Sequence, residues 1–520
     1  MLPLALLAWA GASAQDGSGR IYVRRIEFGG VVGIEDDALR QEMLQLEGAF
    51  LDTVALDESL RRLESLPYVA GARAVLRPVE DAPDHIDVVI AINEAPARRY
   101  GGGGGWSESL RASLHAYYVD ENLLGTGQRL GFTIEGSELR SNAEVSHTNP
   151  FVRPFGISRT VELSSRRIER LVRDASTLDA KLASLVLLYG YPLAGLRRAE
   201  PPSGLVAQAP AAGRPTPRTG GADERLPTAE VRARVAAIDA LLADLRDTAC
   251  CGSIRLGIDV RRAELAPVSG VSEQLFDWIA GNGDATSSGG VPSTAFSEVD
   301  LLVRWRRDTR DRAIFPSSGL EQTLSLTAAL PGSEVEYYLA DYEVAAYRPV
   351  GQRWTARLRG RLGFGAAYGT DTSSLPPYLS WFAGGPLTVR GYRENALGPR
   401  DSLGNPYGGN LLLAGQAELL TPWPKRWRER VRAGAFLDIG NVFASEDVRF
   451  ADASGQRLDY GFDAAELRSS AGVTAQVLIP LGTLRLSYAV PLNADEDHPN
   501  PFLRDDVDRL QISIGVGVDF

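Results

Sequence analysis

Chemistry by side chain requires complementary groups brought to one point, and this chain of 520 residues holds few that could be so gathered. Its four histidines, His85, His115, His147 and His498, are scattered and form no catalytic set with a serine, cysteine or carboxylate. No G-x-S-x-G elbow occurs anywhere in the chain. Cys250 and Cys251 are adjacent with no histidine beside them, whereas metal sites space their ligands. No enzymatic activity, metal or cofactor is therefore expected. The residues that invite a chemical reading are arginines in unusual company. Arg353, Arg357, Arg359 and Arg361 recur, with Thr355, at alternate positions through an otherwise apolar segment, Trp354–Phe364. Four guanidinium groups on one face need water or carboxylates opposite. Arg390 lies in a Gly- and Pro-rich stretch, Gly384–Pro399, reading GGPLTVRGYRENALGP. An arginine–glycine pair on its own is usually a solvated turn. A guanidinium fork withdrawn from water satisfies two carboxylates through charge-assisted hydrogen bonds.

The elements that would position these residues are short alternating strands. Leu510, Ile512, Ile514, Val516, Val518 and Phe520 share one face, with Gln511, Ser513, Gly515, Gly517 and Asp519 on the other. Leu484–Val490 and Leu110–Tyr118 alternate in the same way. Hydrophobic residues make up 44% and charged residues 23%, which excludes a disordered or collagen-like chain. The net charge of -11 argues against nucleic acid as a partner. Past the N-terminus no run of 18 apolar residues exists, which excludes helical membrane spans and leaves barrels open. A soluble sandwich alternates too. Aromatic residues near strand ends, and Met1–Ala14 ending in Ala12-Ser13-Ala14 as a signal peptide does, favour a membrane barrel. The expectation is a mainly β chain, with a transmembrane antiparallel barrel of about sixteen strands over residues 99–520.

Residues 20–98 read differently. Tyr22–Phe28 is a strand, Leu39, Met43 and Leu46 line one helix face, and Leu56, Leu60 and Leu63 line a second helix that Pro67 ends. Strands over Ala72–Val79 and Ile86–Ile92 complete a small α+β module of order β-α-α-β-β. Such a module offers a sheet edge to an extended client, and a spacer that binds nothing accounts for the same pattern. Within the barrel region, 196–250 begins as a Pro-, Ala- and Gly-rich linker and continues into an amphipathic helix carrying Val231, Val235, Ile238, Leu242 and Leu245. Counting strands places this insertion at a periplasmic turn, as a docked helix or a decoration without function.

Several motifs carry a family resemblance. YVRRIEFGG, LRQEMLQLEGAFLD and HIDVVIAINEAP in the first hundred residues resemble a POTRA domain. Asn122–Gly127, Thr148–Phe151, Asp308–Gly319 and above all Gly384–Pro399, with Val389, Arg390, Gly391 and Tyr392, resemble the BamA-type outer-membrane β-barrel assembly factors of the bacterial surface antigen family, here in a short form with one POTRA domain. The resemblance implies that the Val389–Tyr392 loop folds into the barrel and that Arg390 pairs with Glu418 and Asp438. It further implies an outer-membrane barrel with its POTRA domain in the periplasm, and unfolded outer-membrane proteins as clients. The implied partners also include outer-membrane lipids with lipopolysaccharide, and periplasmic chaperones or assembly lipoproteins. A lateral gate is expected where the first strand meets the last: Tyr100, Gly101, Gly103, Gly105 and Trp106 against Ser513, Gly515, Val518 and Phe520. Five consecutive glycines give that first strand little side-chain packing; a glycine-rich linker is the competing reading. A polypeptide-secreting transporter of the two-partner type is the alternative function.

Overall fold

The computed structural model describes residues 21–64, 66–107, 111–153, 157–170, 177–193, 252–267, 271–288, 291–312, 315–370, 372–422, 430–446, 448–452, 454–479 and 482–515. The expected signal peptide, the whole of the 196–250 insertion with its helix, the Cys250-Cys251 pair, and Val518 and Phe520 lie outside the described residues. The chain divides into two compact units.

In the N-terminal unit, β1 (Tyr22–Gly29) pairs in parallel with β3 (Ala82–Glu94), which pairs antiparallel with β2 (Val69–Val79). Two helices, α1 (Asp36–Arg40) and α2 (Thr53–Glu64), join β1 to β2. Ile86, Val88, Ile90 and Ile92 point to one face of β3, where they are buried with Val23, Ile26, Leu39, Leu56 and Leu63. The side chain of Asp52 starts α2 by accepting from the amides of Val54 and Ala55. One expectation is corrected here. Leu39, Met43 and Leu46 do not lie on one helix, because α1 ends at Arg40. Ser59 of α2 accepts from the amides of Leu44 and Gln45 through its hydroxyl, at 2.8 and 3.2 Å, so the chain leaves the helix without orphaned donors. Met43 is still buried, from a turn rather than from a helix. The segment Asp120–Gln128 belongs to this unit: the side-chain amide of Asn122 donates to the Gly33 carbonyl at 2.9 Å and accepts from the Gly127 amide at 2.7 Å.

The second unit is an antiparallel barrel of sixteen strands. In chain order these are β4 (Arg98–Ser107), β5 (Arg111–Leu123), β6 (Gln128–Ser137), β7 (Arg140–Arg153), β8 (Ile157–Arg170), β9 (Thr177–Pro192), β10 (Gly252–Pro267) and β11 (Val291–Asp308). The remaining eight are β12 (Gly319–Ala329), β13 (Tyr337–Val350), β14 (Trp354–Ala367), β15 (Leu411–Pro422), β16 (Val431–Phe443), β17 (Arg468–Ile479), β18 (Gly482–Pro491) and β19 (Leu510–Gly515). Each pairs with its neighbours, and β19 returns to β4 with Ile514 opposite Trp106. The period of two decides which residues face the lumen. On β14, Arg357 is 4% exposed and faces inward, while Leu358 is 60% exposed and faces outward. Leu163, Ile258, Leu437, Val473 and Ile512 are likewise exposed on the outer wall. Such a wall suits lipid, and pairing all round the barrel keeps strand edges out of hydrocarbon, with one described rung, Ile514 opposite Trp106, at the β19–β4 seam. Among the described residues no helix is long and apolar enough to cross a membrane.

The connections alternate between a near end, where the chain enters β4, and a far end. At the far end the β10–β11 connection contains α3 (Glu273–Gly281), capped by the hydroxyl of Ser272. Leu275, Trp278 and Ile279 of α3 are buried in one cluster with Trp381, Val389, Tyr392, Leu412 and Val442. The β14–β15 connection, 368–410, supplies much of that cluster.

Candidate functional site

Arg390, on the β14–β15 connection, is fully buried against the lumen wall. Its backbone amide and its Nε donate to Oδ2 of Asp438 at 3.0 and 2.7 Å, and its Nη2 donates to Oδ1 at 2.7 Å. Its Nη1 donates to Oε1 of Glu418 at 2.7 Å. Cζ sits 3.5 Å from the centroid of the Phe436 ring, a cation–π contact in a dry setting. The strands place these partners without local distortion. Glu418 on β15 is opposite Phe436 on β16, and Asp438 lies two residues further along the same inward face. Arg357 on β14 is opposite Glu418 and donates to its Oε2 at 2.9 Å. The set therefore runs Arg357, Glu418, Arg390, Asp438, with two positive and two negative charges. Burial alone would disfavour the Arg390 charge; its hydrogen bonds to Asp438 and the negative charge of Glu418 offset this and keep the guanidinium charged.

The loop is shaped to deliver that one side chain. Gly391 has φ +90°, and a Cβ there would stand 3.1 Å from the Ala489 Cβ, so only glycine fits without strain. Gly391 and Tyr392 form a short ladder with Asp508 and Val507. The Tyr392 hydroxyl lies 3.2 Å from both the Ser469 carbonyl and Asn493 Oδ1, and its carbonyl accepts from the side-chain amide of Gln511 at 2.6 Å. Gln416 holds the other flank, donating to the Thr388 carbonyl at 3.1 Å. Val389, Arg390, Gly391, Tyr392, Glu418 and Asp438 are thus brought together.

The seam residues lie elsewhere in the wall. Tyr100, Gly101, Gly103, Gly105 and Trp106 are all on β4, and Ser513 and Gly515 are on β19, where they pair with Arg485 and Thr483 of β18. A Cβ on Gly101 would come within 2.8 Å of the Tyr117 hydroxyl, so that ring fills the space a side chain would take.

Two features escape sequence reasoning. Arg357 carries the Glu418 oxygen that Arg390 leaves free; its inward face is legible, but its partner depends on register across a long connection. A second buried set joins β10, β11 and β13. Arg261 donates to Glu298 at 2.7 Å, to Asp259 at 2.6 Å and to the Tyr337 hydroxyl at 3.1 Å, and that hydroxyl donates to Asp300 at 2.9 Å. Three carboxylates thus surround one arginine, with the Tyr337 hydroxyl between Glu298 and Asp300.

Comparison with known proteins places both units. Residues 21–95 match the POTRA model described as a surface antigen variable number repeat, and residues 270–520 match the Omp85 superfamily domain. The outer membrane protein assembly factor BamA of Neisseria meningitidis serogroup B is 26% identical over 512 residues, 95% of this chain. The chain spans 56% of that relative's length. Among solved structures, BamA from Haemophilus ducreyi lacking POTRA domains 1–3 superposes with a TM-score of 0.73 at 22% identity, over 96% of this chain and 85% of that one. CdiB from Acinetobacter baumannii gives a TM-score of 0.50 at 10% identity, over 95% of this chain and 74% of that one, and so shares the fold. The N-terminal unit is thus similar to a POTRA domain over residues 21–95, and the barrel is similar to the Omp85 superfamily domain over residues 270–520.

Proposed function

We infer that this protein is an outer-membrane protein assembly factor, with its barrel in the bacterial outer membrane and its POTRA module in the periplasm. Its clients are unfolded outer-membrane proteins, which it folds and releases into the bilayer through a lateral gate between β4 and β19. The seam carries this reading. Gly101–Gly105 bring no side chains to the closing pair, and the described rung there is Ile514 opposite Trp106. Strand pairing must close a barrel in lipid, yet a glycine-rich strand packs poorly and costs more entropy to order. When such a seam parts, β4 offers a free edge to which an extended client adds by backbone pairing. The sheet of the N-terminal module, whose order β1-β3-β2 leaves β1 and β2 at its edges, suits a first encounter with the same kind of chain. No nucleotide is needed, because burial of the client's apolar face and pairing of its backbone drive the transfer.

The test has two arms. Depletion followed by a census of outer-membrane barrels separates general assembly, in which many barrels are lost, from transport of a single secreted protein. Complementation with Trp106→Cys/Ile514→Cys then asks about the gate. The oxidised, disulfide-locked form should fail and regain activity on reduction. Full activity of the locked form rules the gate out.

A further inference from the structure

Below the Arg390 loop, toward the near end, the lumen holds a cavity of about 460 Å³. Seven of the nineteen residues lining it are arginines and two are glutamates. Most of these charges are matched. Arg306 and Arg310 meet Asp308 and Glu321, Arg361 meets Asp341 and Glu343, and Arg357 meets Glu418. Among the described residues Arg359 reaches only Glu343, at 3.6 Å, which Arg361 already holds at 3.0 Å. Arg432 and Arg485 meet no carboxylate among the described residues. Arg432 donates to the carbonyls of Phe315 and Pro316, and Arg485 to the Pro386 carbonyl at 3.3 Å. Both are more than nine-tenths buried, at 5% and 7% exposed.

Among the described residues lining the cavity, the unsatisfied atoms have one sign. Nε of Arg357, Nε of Arg432, Nη1 of Arg359 and Nε2 of Gln476 are buried without a hydrogen-bond partner, and all four are donors. In the acidic set on β10, β11 and β13 the orphaned atoms are acceptors, Glu298 Oε2 and Asp300 Oδ1. Register gathers the donors. Arg432 on β16 is opposite Gln476 on β17, which is opposite Arg485 on β18. Two strand spacings separate the two arginines at their roots, about 10 Å, which leaves a tetrahedral oxyanion room between the forks with Gln476 beneath it.

We propose that this cavity binds a doubly charged oxyanion of the phosphate class between Arg432 and Arg485, as a free ion or as a phosphomonoester on a lipid headgroup. Buried guanidinium groups left over after pairing require a counter-charge, and their planar forks match the oxygens of a phosphate group. Glu418 also attracts Arg485 through charge, but both its oxygens are already held, by Arg357 and Arg390, so it supplies no full counter-charge to this site.

The experiment is equilibrium dialysis of the full chain in detergent against radiolabelled inorganic phosphate, at constant ionic strength in chloride. The wild type should show one saturable site per chain. Arg432→Gln and Arg485→Gln should each weaken it by about tenfold or more, the share of one charge-assisted bond, while Arg255→Gln on β10, outside the cavity, leaves it unchanged. Heat-modifiable gel mobility checks folding of each variant. In phosphate-free buffer Arg485→Gln should melt no lower than wild type, because an uncompensated buried charge has gone, and phosphate should no longer raise its melting temperature. Competition by dioctanoyl phosphatidic acid assigns the site to a headgroup, and its failure to compete assigns it to the free ion; both uphold the anion site. Absence of saturable binding, displacement by the background chloride, or unchanged affinity in both glutamine variants overturns it.

Discussion

Replacing Arg390 by alanine tests the lumen clamp most directly, and the structure says where the damage should concentrate. Glu418 keeps Arg357 at 2.9 Å and loses one of two cationic partners. Asp438 loses every side-chain donor described for it and keeps the backbone amide of residue 390 alone. The cost is therefore that of one uncompensated carboxylate at a fully buried position. Removing one partner of a buried pair costs about 3–5 kcal/mol. The surviving Arg357–Glu418 pair places this case near the lower end, about 3 kcal/mol, or roughly a hundredfold in the folded-to-unfolded ratio. Adding Asp438→Asn should then recover about 1–2 kcal/mol, because it removes the stranded charge rather than a contact. Arg393→Ala, three residues on and half-buried, should cost less than about 1 kcal/mol. Urea unfolding in detergent, followed by tryptophan fluorescence and heat-modifiable mobility, gives all four free energies. If Arg390→Ala is no less stable than Arg393→Ala, or if Asp438→Asn deepens the loss, the clamp as described is wrong.

Gly391→Ala should destabilise the seated loop by about 1–2 kcal/mol, the cost of a left-handed backbone on a residue with a Cβ, seen as earlier protease cleavage within 368–410. Ser59→Ala should cost about 1–3 kcal/mol, because it strands the buried amides of Leu44 and Gln45; hydrogen exchange at those two amides reads it. Hydrogen bonding from Arg24, helped by Arg25, holds the Asp87 carboxyl below the usual carboxylate range. Its contribution is complete above about pH 4, the ordinary aspartate value, and is lost as pH falls through the lower folded value. Exchange of the β1 amides, corrected for intrinsic rates, should therefore accelerate in acid, and Asp87→Asn should flatten that response.

The barrel was legible because a period of two survives in any strand with one wet face: Arg357 and Leu358 sort themselves by neighbour alone. The Arg390 partners were legible only through family resemblance, since nothing local joins a loop residue to carboxylates 28 and 48 positions away. Arg357 was not recognised as the fourth member, because its register with Glu418 is set across the whole β14–β15 connection. The helix drawn through Met43 failed for a tertiary reason: a hydroxyl on α2 claims the amides that a longer α1 would have used. α3 was missed although Ser272 followed by Leu275, Trp278 and Ile279 is a cap with a short apolar stripe; nine residues between strands left too little periodicity to stand out. The two unpaired arginines of the cavity carry no sequence signal, since an arginine on an inward face looks the same whether or not an acid is opposite it.

The loop that bears Arg390 also has a place in time. Its Val389–Tyr392 tip leaves the ribosome before the strands that bond Arg390 and Tyr392. Arg390 waits for β15 and β16, the Tyr392 hydroxyl for Ser469 and Asn493, and the Tyr392 carbonyl for Gln511 of β19, 119 residues later. Contacts so distant in sequence form late. A barrel still lacking its last strand leaves that carbonyl without its donor, so the loop settles only when the wall is whole.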